Sequence, residues 1–250
     1  MQRLYYLTFL QVDSWVMKNL QTLSCDDGLI RSNSIFKHLS EEELALVNSD
    51  KTVEQFKRGS VIYRESSRIN GCYCLQKGII KVFKTGIDGK EQIIRFAQKG
   101  DIIGYRSVLS NELACSTAEV LDDAITCYIP SEVLVHLVKH NGDFSMELMQ
   151  ITCKELGEAN AYITDIAQKT VRERLAEILI HLKNDFGLDD EGTLQISLTR
   201  EELANIVGTA TESVIRLLSE FKTDRLIDLN GRKIKLLNIP GLIKTGNVYD

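Results

Sequence analysis

The sequence predicts an α+β chain with an antiparallel β-roll first, a long helix next and a winged helix–turn–helix last. Three observations carry this. Short β-type runs separated by glycines fill the stretch from about 51 to 130. Apolar residues recur at a 3-4-3-4-3 spacing inside 143–168. Finally, two short amphipathic helices joined by "GTATES" precede an alternating stretch centred on Asn230-Gly231. Period 3.6 marks helices and period 2 marks strands, so the class follows from the order in which these periods appear.

Ahead of the roll, residues 34–48 read as a short helix. Ser40 followed by Glu43 is a capping-box pattern, and Leu44 and Val47 supply an apolar side. The roll itself reads as eight runs: "VEQFKRG", "SVIYRE", "GCYCLQKG", "IIKVFKTGIDG", "EQIIRFAQKG", "DIIGY", "STAEVL" and "AITCYIP". Asp88-Gly89 is a hairpin signal between two of them. Pro130 ends the strands, and "SEVLVHLVKH" is a short helix.

The long helix at 143–168 places Met149, Thr152, Leu156, Ala159, Ile163 and Ile166 on one seam, the spacing of a two-helix contact. A plainer reading packs this stripe on its own domain. Thr170 with Glu173 then opens a further helix whose buried face is Leu175, Ile178, Leu179 and Leu182. The expected domains are an N-terminal extension at 1–33, the roll at 34–142 and the long helix at 143–169. The winged helix–turn–helix follows at 170–240, and a tail closes the chain at 241–250.

The chain has 250 residues and a formal net charge of −5, which neither advertises nor excludes a polyanionic partner. No apolar run is long enough to cross a bilayer. Gln11 and Asp13 interrupt the N-terminal apolar patch and no small-residue cleavage site follows, so export is not expected. Translation from Met17 is an alternative start. Six scattered cysteines, Cys25, Cys72, Cys74, Cys115, Cys127 and Cys153, form no paired CxxC motifs. Reduced thiols and a cytoplasmic location are the expectation. His136 and His140 stand at i,i+4 with no third ligand in view, so no metal or cofactor is expected.

In the helix–turn–helix, Thr199 with Glu202 caps the first helix, Gly208 suits a left-handed end, and Thr209 with Glu212 can cap the second. Val214, Leu217, Leu218 and Phe221 form the core face of the second helix. At ~100° per residue, Glu212, Arg216, Ser219 and Thr223 face the other way. That is the side such a motif presents to the major groove. Arginine donates two hydrogen bonds to guanine, and glutamate accepts one from the cytosine amino group. Thr211 and Ser213 flank Glu212 and complete the base-reading set. Thr199, Arg200, Thr209, Arg232 and Lys233, with Lys235, are the candidates for phosphate contact. Two plainer readings remain: Glu212 and Arg216 as an exposed i,i+4 ion pair worth ~0.3–0.5 kcal/mol, or Glu212 as a capping residue only.

The stretch "LTREELANIVGTATESVIRLLSEFKTDRLIDLNGRKIKLLN" resembles the DNA-binding domain of the CRP/FNR family of bacterial transcription regulators. Upstream, "GCYCLQKGIIKVFK", "GKEQIIRFAQKGDIIG" and "STAEVLDDAITCYIP" resemble that family's cyclic-nucleotide-binding-type β-roll. The resemblance covers about residues 34–238 and makes the long helix a dimerisation helix. It implies a cytoplasmic homodimer on double-stranded DNA with inverted-repeat half-sites, RNA polymerase as a partner, and a TGA-like core read through Glu212 and Arg216. Thr211 stands where the cyclic-AMP receptor branch has arginine, so the outer base preference should differ.

The same resemblance locates an effector cassette in "IIGYRSVLSNELACSTAEV". The ribose-binding glutamate of cyclic-AMP-binding members falls on Tyr105 and the phosphate-binding arginine on Cys115. Only the serine survives, as Ser116. The adenine-contacting threonine falls on Ala159. Tyr105, Arg106, Ser107, Cys115, Ser116, Ala159 and Asn160 are therefore the pocket candidates, and cyclic AMP is not the expected ligand, because a buried phosphate without a charged partner keeps most of its desolvation cost. An unknown small-molecule effector is left open. The alternatives are a ligand- or redox-sensing regulatory module whose effector is a different small molecule or cofactor, a ligand-binding regulatory module with no role on DNA, and an enzyme. The chain has no phosphate loop, nucleophile elbow or metal triad, which argues against the enzyme.

Overall fold

Two long strands of the β-roll are each assembled from a pair of runs that look separate in the sequence. The computed structural model describes residues 35–248; the N-terminal extension, the Met17 start and Cys25 lie outside the described residues. "GCYCLQKG" and "IIKVFKT" form one strand, and "STAEVL" and "AITCYIP" form another. The first pair is joined through Gly78, whose φ is +94°. A Cβ there would lie 2.5 Å from the Asp123 carbonyl oxygen and 2.7 Å from the Ala124 Cα. The glycine therefore marks a bulge pressed against the neighbouring strand, not a turn. Register shifts at Leu75/Lys77, Lys77/Ile79 and Ile79/Ile80 are the trace of it. Eight expected runs become six strands.

The chain divides into two compact units, Met1–Lys84 with Arg95–Cys153, and Thr85–Ile94 with Lys154–Asp250. The first opens with a 3-10 turn, Ile35–His38, and helix α1, Glu41–Asp50. The single helix expected over 34–48 is split because Ser40 takes the N-cap position. Its hydroxyl accepts from the Glu43 amide, and the Glu43 carboxylate accepts from the Ser40 amide, so a new helix must start there.

The strands are β1 Thr52–Phe56, β2 Val61–Tyr63, β3 Gly71–Thr85, β4 Glu91–Ala97, β5 Ile102–Ile103 and β6 Thr117–Pro130, with the short helix α2, Tyr105–Ser110, before β6. Their order is β1-β6-β3-β4, with β2 added to β6 and β5 to β3. The loop at Asp88-Gly89 spans Gly86–Lys90 and is closed by the Gly86 amide donating to the Lys90 carbonyl (2.8 Å). Helix α3, Ser131–His140, follows the roll, and helix α4, Gly142–Gln168, is the long helix.

One core of this unit packs Phe36, Leu44 and Val47 with Cys72, Cys74, Cys127, Leu134, Leu137, Phe144 and Leu148. A second fills the roll with Tyr63, Leu75, Ile80, Val82, Ile103, Val120 and Ala124. Three of the cysteines thus act as small core hydrophobes, and burial pushes the Cys72 thiol up to about 12. Cys115 precedes β6 and is exposed, as is Cys153.

The second unit contains α5 Val171–Phe186, α6 Arg200–Val207, α7 Thr211–Thr223, the wing strands β7 Ile227–Asn230 and β8 Lys233–Leu236, and α8 Ile239–Gly246. Helix α5 starts with the expected capping box of Thr170 and Glu173. Leu175, Leu179 and Leu182 are buried, while Ile178 is half-buried and Ile180 takes a core place beside them. In the wing, Ile227 pairs with Leu236 and Leu229 with Ile234, as the alternation requires. The turn sits one residue later than Asn230-Gly231 suggests. Asn230 is the last ladder residue, opposite Lys233, so Gly231 (φ +58°) and Arg232 make the turn. Glycine takes the left-handed position there at no steric cost. Helix α8 runs from Ile239 into the stretch expected as a tail, because Asn238 caps it by accepting from the Gly241 amide (2.9 Å) and Pro240 fits the first turn.

Candidate nucleic-acid interface and effector cassette

The two helices of the motif are held at a tight turn by one buried arginine. The last carbonyls of any helix lack partners inside it. At the end of α6 the Val207 carbonyl accepts from Arg174 Nε (3.0 Å) and the Gly208 carbonyl from Nη2 (3.4 Å). Arg174 Nη1 donates to the Lys169 carbonyl (2.8 Å), just past the end of α4. Tyr162 reaches the Ile206 carbonyl through its hydroxyl (3.3 Å), and Gln92 approaches the same oxygen at 3.5 Å. Arg174 is only 8 % exposed. A cation among carbonyl oxygens at two helix ends is the favourable sign for both dipoles. Gly208 (φ +72°) then turns the chain, as the sequence suggests.

Helix α7 begins at Thr211 with Ala210 at its N-cap and no side-chain cap. Thr209 therefore does not cap it: a Thr209–Glu212 box needs the helix to start one residue earlier. The consequence is chemical. The Glu212 carboxylate is not drawn back to the helix start, and Glu212 is exposed in the first turn. The Glu212–Arg216 ion pair is not made either. Arg216 Nη1 lies 2.6 Å from Glu220 Oε1 instead.

Val214, Leu217, Leu218 and Phe221 are all buried, so the opposite face stays outward. Thr211 and Ser213 are half-buried beside Glu212. Ser219 and Thr223 turn their hydroxyls back onto the Ile215 and Ser219 carbonyls. Ile215 was not among the residues expected on this face. It is 49 % exposed. A large apolar residue breaking the polar side of the helix was the available signal.

Among the phosphate candidates, Arg232 and Lys233 are exposed at the wing turn. Thr199 caps α6 through the Glu202 amide (3.0 Å), and Thr209 is half-buried beside the motif's turn. Arg200 is partly committed. Its Nη2 donates to the Gly231 carbonyl (2.8 Å), tying α6 to the wing, and Nη1 is buried with no partner among the described residues.

In the cassette, the Tyr105 ring is almost fully buried at 1 % exposure, and its hydroxyl lies 3.3 Å from Thr152 Oγ1 on α4. Thr152 itself donates to the Leu148 carbonyl (2.8 Å), so the tyrosine is the donor of the pair. Ser116 is buried and hydrogen-bonds the Tyr63 phenol, which burial pushes up to about 12. Arg106 Nη2 contacts Cys115 Sγ at 2.7 Å, and both residues are exposed. Ser107 is buried. Ala159 and Asn160 are exposed on α4; the α4 residue that Tyr105 meets is Thr152, a whole two turns upstream of Ala159. His136 and His140 stack at 4.2 Å, and among the described residues no three His, Cys, Asp or Glu side chains group as a metal site.

A winged helix–turn–helix with a polar, outward second helix defines a DNA-binding module, and a β-roll followed by a long helix precedes it. A sequence model of the cyclic nucleotide-binding domain matches residues 53–141, and one of the Crp-like helix-turn-helix domain matches 173–245. The chain is 26% identical over 231 residues to the fumarate and nitrate reduction regulatory protein of Vibrio cholerae, covering 90% of this chain and 91% of that protein. It is 26% identical over 200 residues to the transcriptional activator protein FnrA of Stutzerimonas stutzeri, covering 79% and 82%. The fold is shared with FixK2 from Bradyrhizobium japonicum (TM-score 0.72, 23% identity, 80% of this chain and 99% of that one). It is also shared with a CRP/FNR-family regulator from Thermus thermophilus (TM-score 0.66, 24% identity, 80% and 100%). The chain belongs to the CRP/FNR family and is a DNA-binding transcription regulator. Among the described residues no helix is long and apolar enough to cross a membrane.

Replacing Arg174 by methionine keeps much of its length but leaves three carbonyls without their donor. Stability should fall by about 2–4 kcal/mol. Urea unfolding of the two proteins at equal concentration measures it, and an unchanged midpoint would show that the arginine is dispensable.

Proposed function

We propose that the chain binds DNA as a homodimer and reads each half-site of an inverted repeat with Glu212 and Arg216, flanked by Thr211 and Ser213. The observation that carries this is the exposed carboxylate of Glu212, freed from both capping and ion pairing. A carboxylate gains nothing from phosphates, whereas it can accept from a cytosine amino group. Arg232, Lys233, Thr199 and Thr209 supply phosphate contacts that set register without reading sequence. Arg200 holds the wing against α6 and contributes charge from there. RNA polymerase is the partner that a DNA-bound regulator of this kind acts upon.

The dimer rests on the face of α4. Met149, Leu156, Ile163 and Ile166 are 57 %, 61 %, 65 % and 45 % exposed at the seam spacing, with Thr152 and Ala159 between them. A row of apolar side chains this exposed marks a surface that another protein covers, and its a/d spacing fits a second copy of the same helix. Two copies place their modules about one helical turn of DNA apart.

The roll works as a regulatory domain that does not use cyclic AMP. Every cassette position tested by the resemblance already has a partner inside the chain: Tyr105 with Thr152, Ser116 with Tyr63, and Cys115 with Arg106. The arginine that would neutralise a buried phosphate is replaced by Cys115, and the neighbouring Arg106 faces solvent. Any effector is therefore of another chemistry.

Three measurements test these parts. On an operator selected from random DNA, Arg216→Ala should cost ~1–3 kcal/mol, while Glu212→Gln should relax choice at one base pair only; uniform weakening by Glu212→Gln would refute base reading. Sedimentation of a Leu156→Glu/Ile163→Glu variant should give monomers; an unchanged dimer places the interface elsewhere. Calorimetry with cyclic AMP should give no heat at micromolar concentrations, and a micromolar isotherm would overturn the cassette reading.

A further inference from the structure

Arg216 is not isolated on its helix. Its Nη1 donates to Glu220 Oε1 at 2.6 Å. The second oxygen of that carboxylate, Oε2, accepts from Arg172 Nη1 at 3.0 Å. Arg172 in turn donates through Nη2 to Asp224 Oδ2 at 2.6 Å, and its guanidinium lies 4.7 Å from the centroid of the Phe221 ring. Phe221 is a core residue with 0% exposure, so the far end of this chain of contacts is anchored in the interior.

Single surface ion pairs contribute little, because two long side chains lose entropy to hold one geometry. Here the geometry is held jointly. Arg172 grips two carboxylates with its two terminal nitrogens and stacks on a buried ring, an arrangement that a lysine cannot reproduce. Glu220 is thereby fixed, and only one edge of Arg216 is engaged by it. Arginine carries five N–H donors in a planar fork. With Nη1 held, the Nε–Nη2 edge is free to meet guanine O6 and N7 in one plane.

We infer that Glu220 is a positioning residue for Arg216, and that Arg172, at the start of α5 and outside the helix–turn–helix, fixes Glu220 and so sets how strictly the motif reads guanine. This rests on the reading of Arg216 as a base contact. The carboxylate fixes the plane of the guanidinium before DNA arrives, which lowers the entropy lost on forming the two base hydrogen bonds.

The test uses the full chain, a selected operator, and versions of it changed one base pair at a time, with affinity read by fluorescence anisotropy. Arg216→Ala first identifies the base pair it reads, as the position where discrimination is lost. Glu220→Ala and Arg172→Gln should each lower discrimination at that same pair by about five- to tenfold, and leave the other positions unchanged. Arg172→Lys, able to bridge only one carboxylate, should fall between. Charge alone predicts something else. Removing Glu220 raises attraction to any DNA and removing Arg172 lowers it, so affinity for random DNA should move in opposite directions in the two variants. Discrimination falling in both, against opposite shifts on random DNA, is the signature of positioning. If Glu220→Ala and Arg172→Gln keep full discrimination while Arg216→Ala loses it, the inference is wrong and the base contact stands. If Arg216→Ala also keeps it at every position, both are wrong.

Discussion

The carbonyl oxygens at the end of α6 are the constraint around which the DNA-binding module is arranged. A helix that stops inside a packed domain must hand its last acceptors to something, and water is not available there. Arg174 meets two of them and a third at the end of α4. Because one guanidinium satisfies both ends, the turn between α6 and α7 is tied to the place where the long helix stops. The outward residues of α7 are few, and the turn that precedes them is held by a buried cation on another helix.

Much of this was legible in the sequence, for a physical reason. Amphipathic periodicity and capping boxes are local, so α1, α5 and α6 can be read from Ser40–Glu43, Thr170–Glu173 and Thr199–Glu202 alone. Glycine was less informative, because the same residue serves a turn or a bulge. Gly78 reads as a turn until the backbone of Asp123 and Ala124 is seen pressed against it. The wing pairing was correct, yet its turn was one residue off, since Asn230 suits a ladder end as well as a turn. Helix α8 is hard to read although Asn238 and Pro240 are ordinary start signals and Ile239, Leu242 and Ile243 keep helical spacing, because eight residues give only two turns of pattern.

The outward face of α7 was legible by elimination once Val214, Leu217, Leu218 and Phe221 were assigned inward. What each outward group does was not. Whether Glu212 caps or stays open turns on a single residue of helix start, a resolution that patterns do not reach. The partner of Arg216 is four residues C-terminal, not four N-terminal, and spacing alone does not choose between Glu212 and Glu220. Arg172 is far in sequence from both, so only the folded chain brings it to Glu220.

Tyr105 bears on regulation in a way that concerns populations. Its ring is seated in the interior and its hydroxyl lies on Thr152, so the space at this candidate position is filled by the chain itself. A small molecule seeking that space meets a competitor at very high effective concentration, because the competitor is covalently attached. It would bind only the fraction of molecules in which the ring had swung out. Its apparent dissociation constant is the intrinsic one divided by that fraction, so one open molecule in about a hundred weakens it about a hundredfold. For a ligand needing that space, such a threshold would make the domain insensitive to trace metabolites, and a change at position 105 alone would reset it.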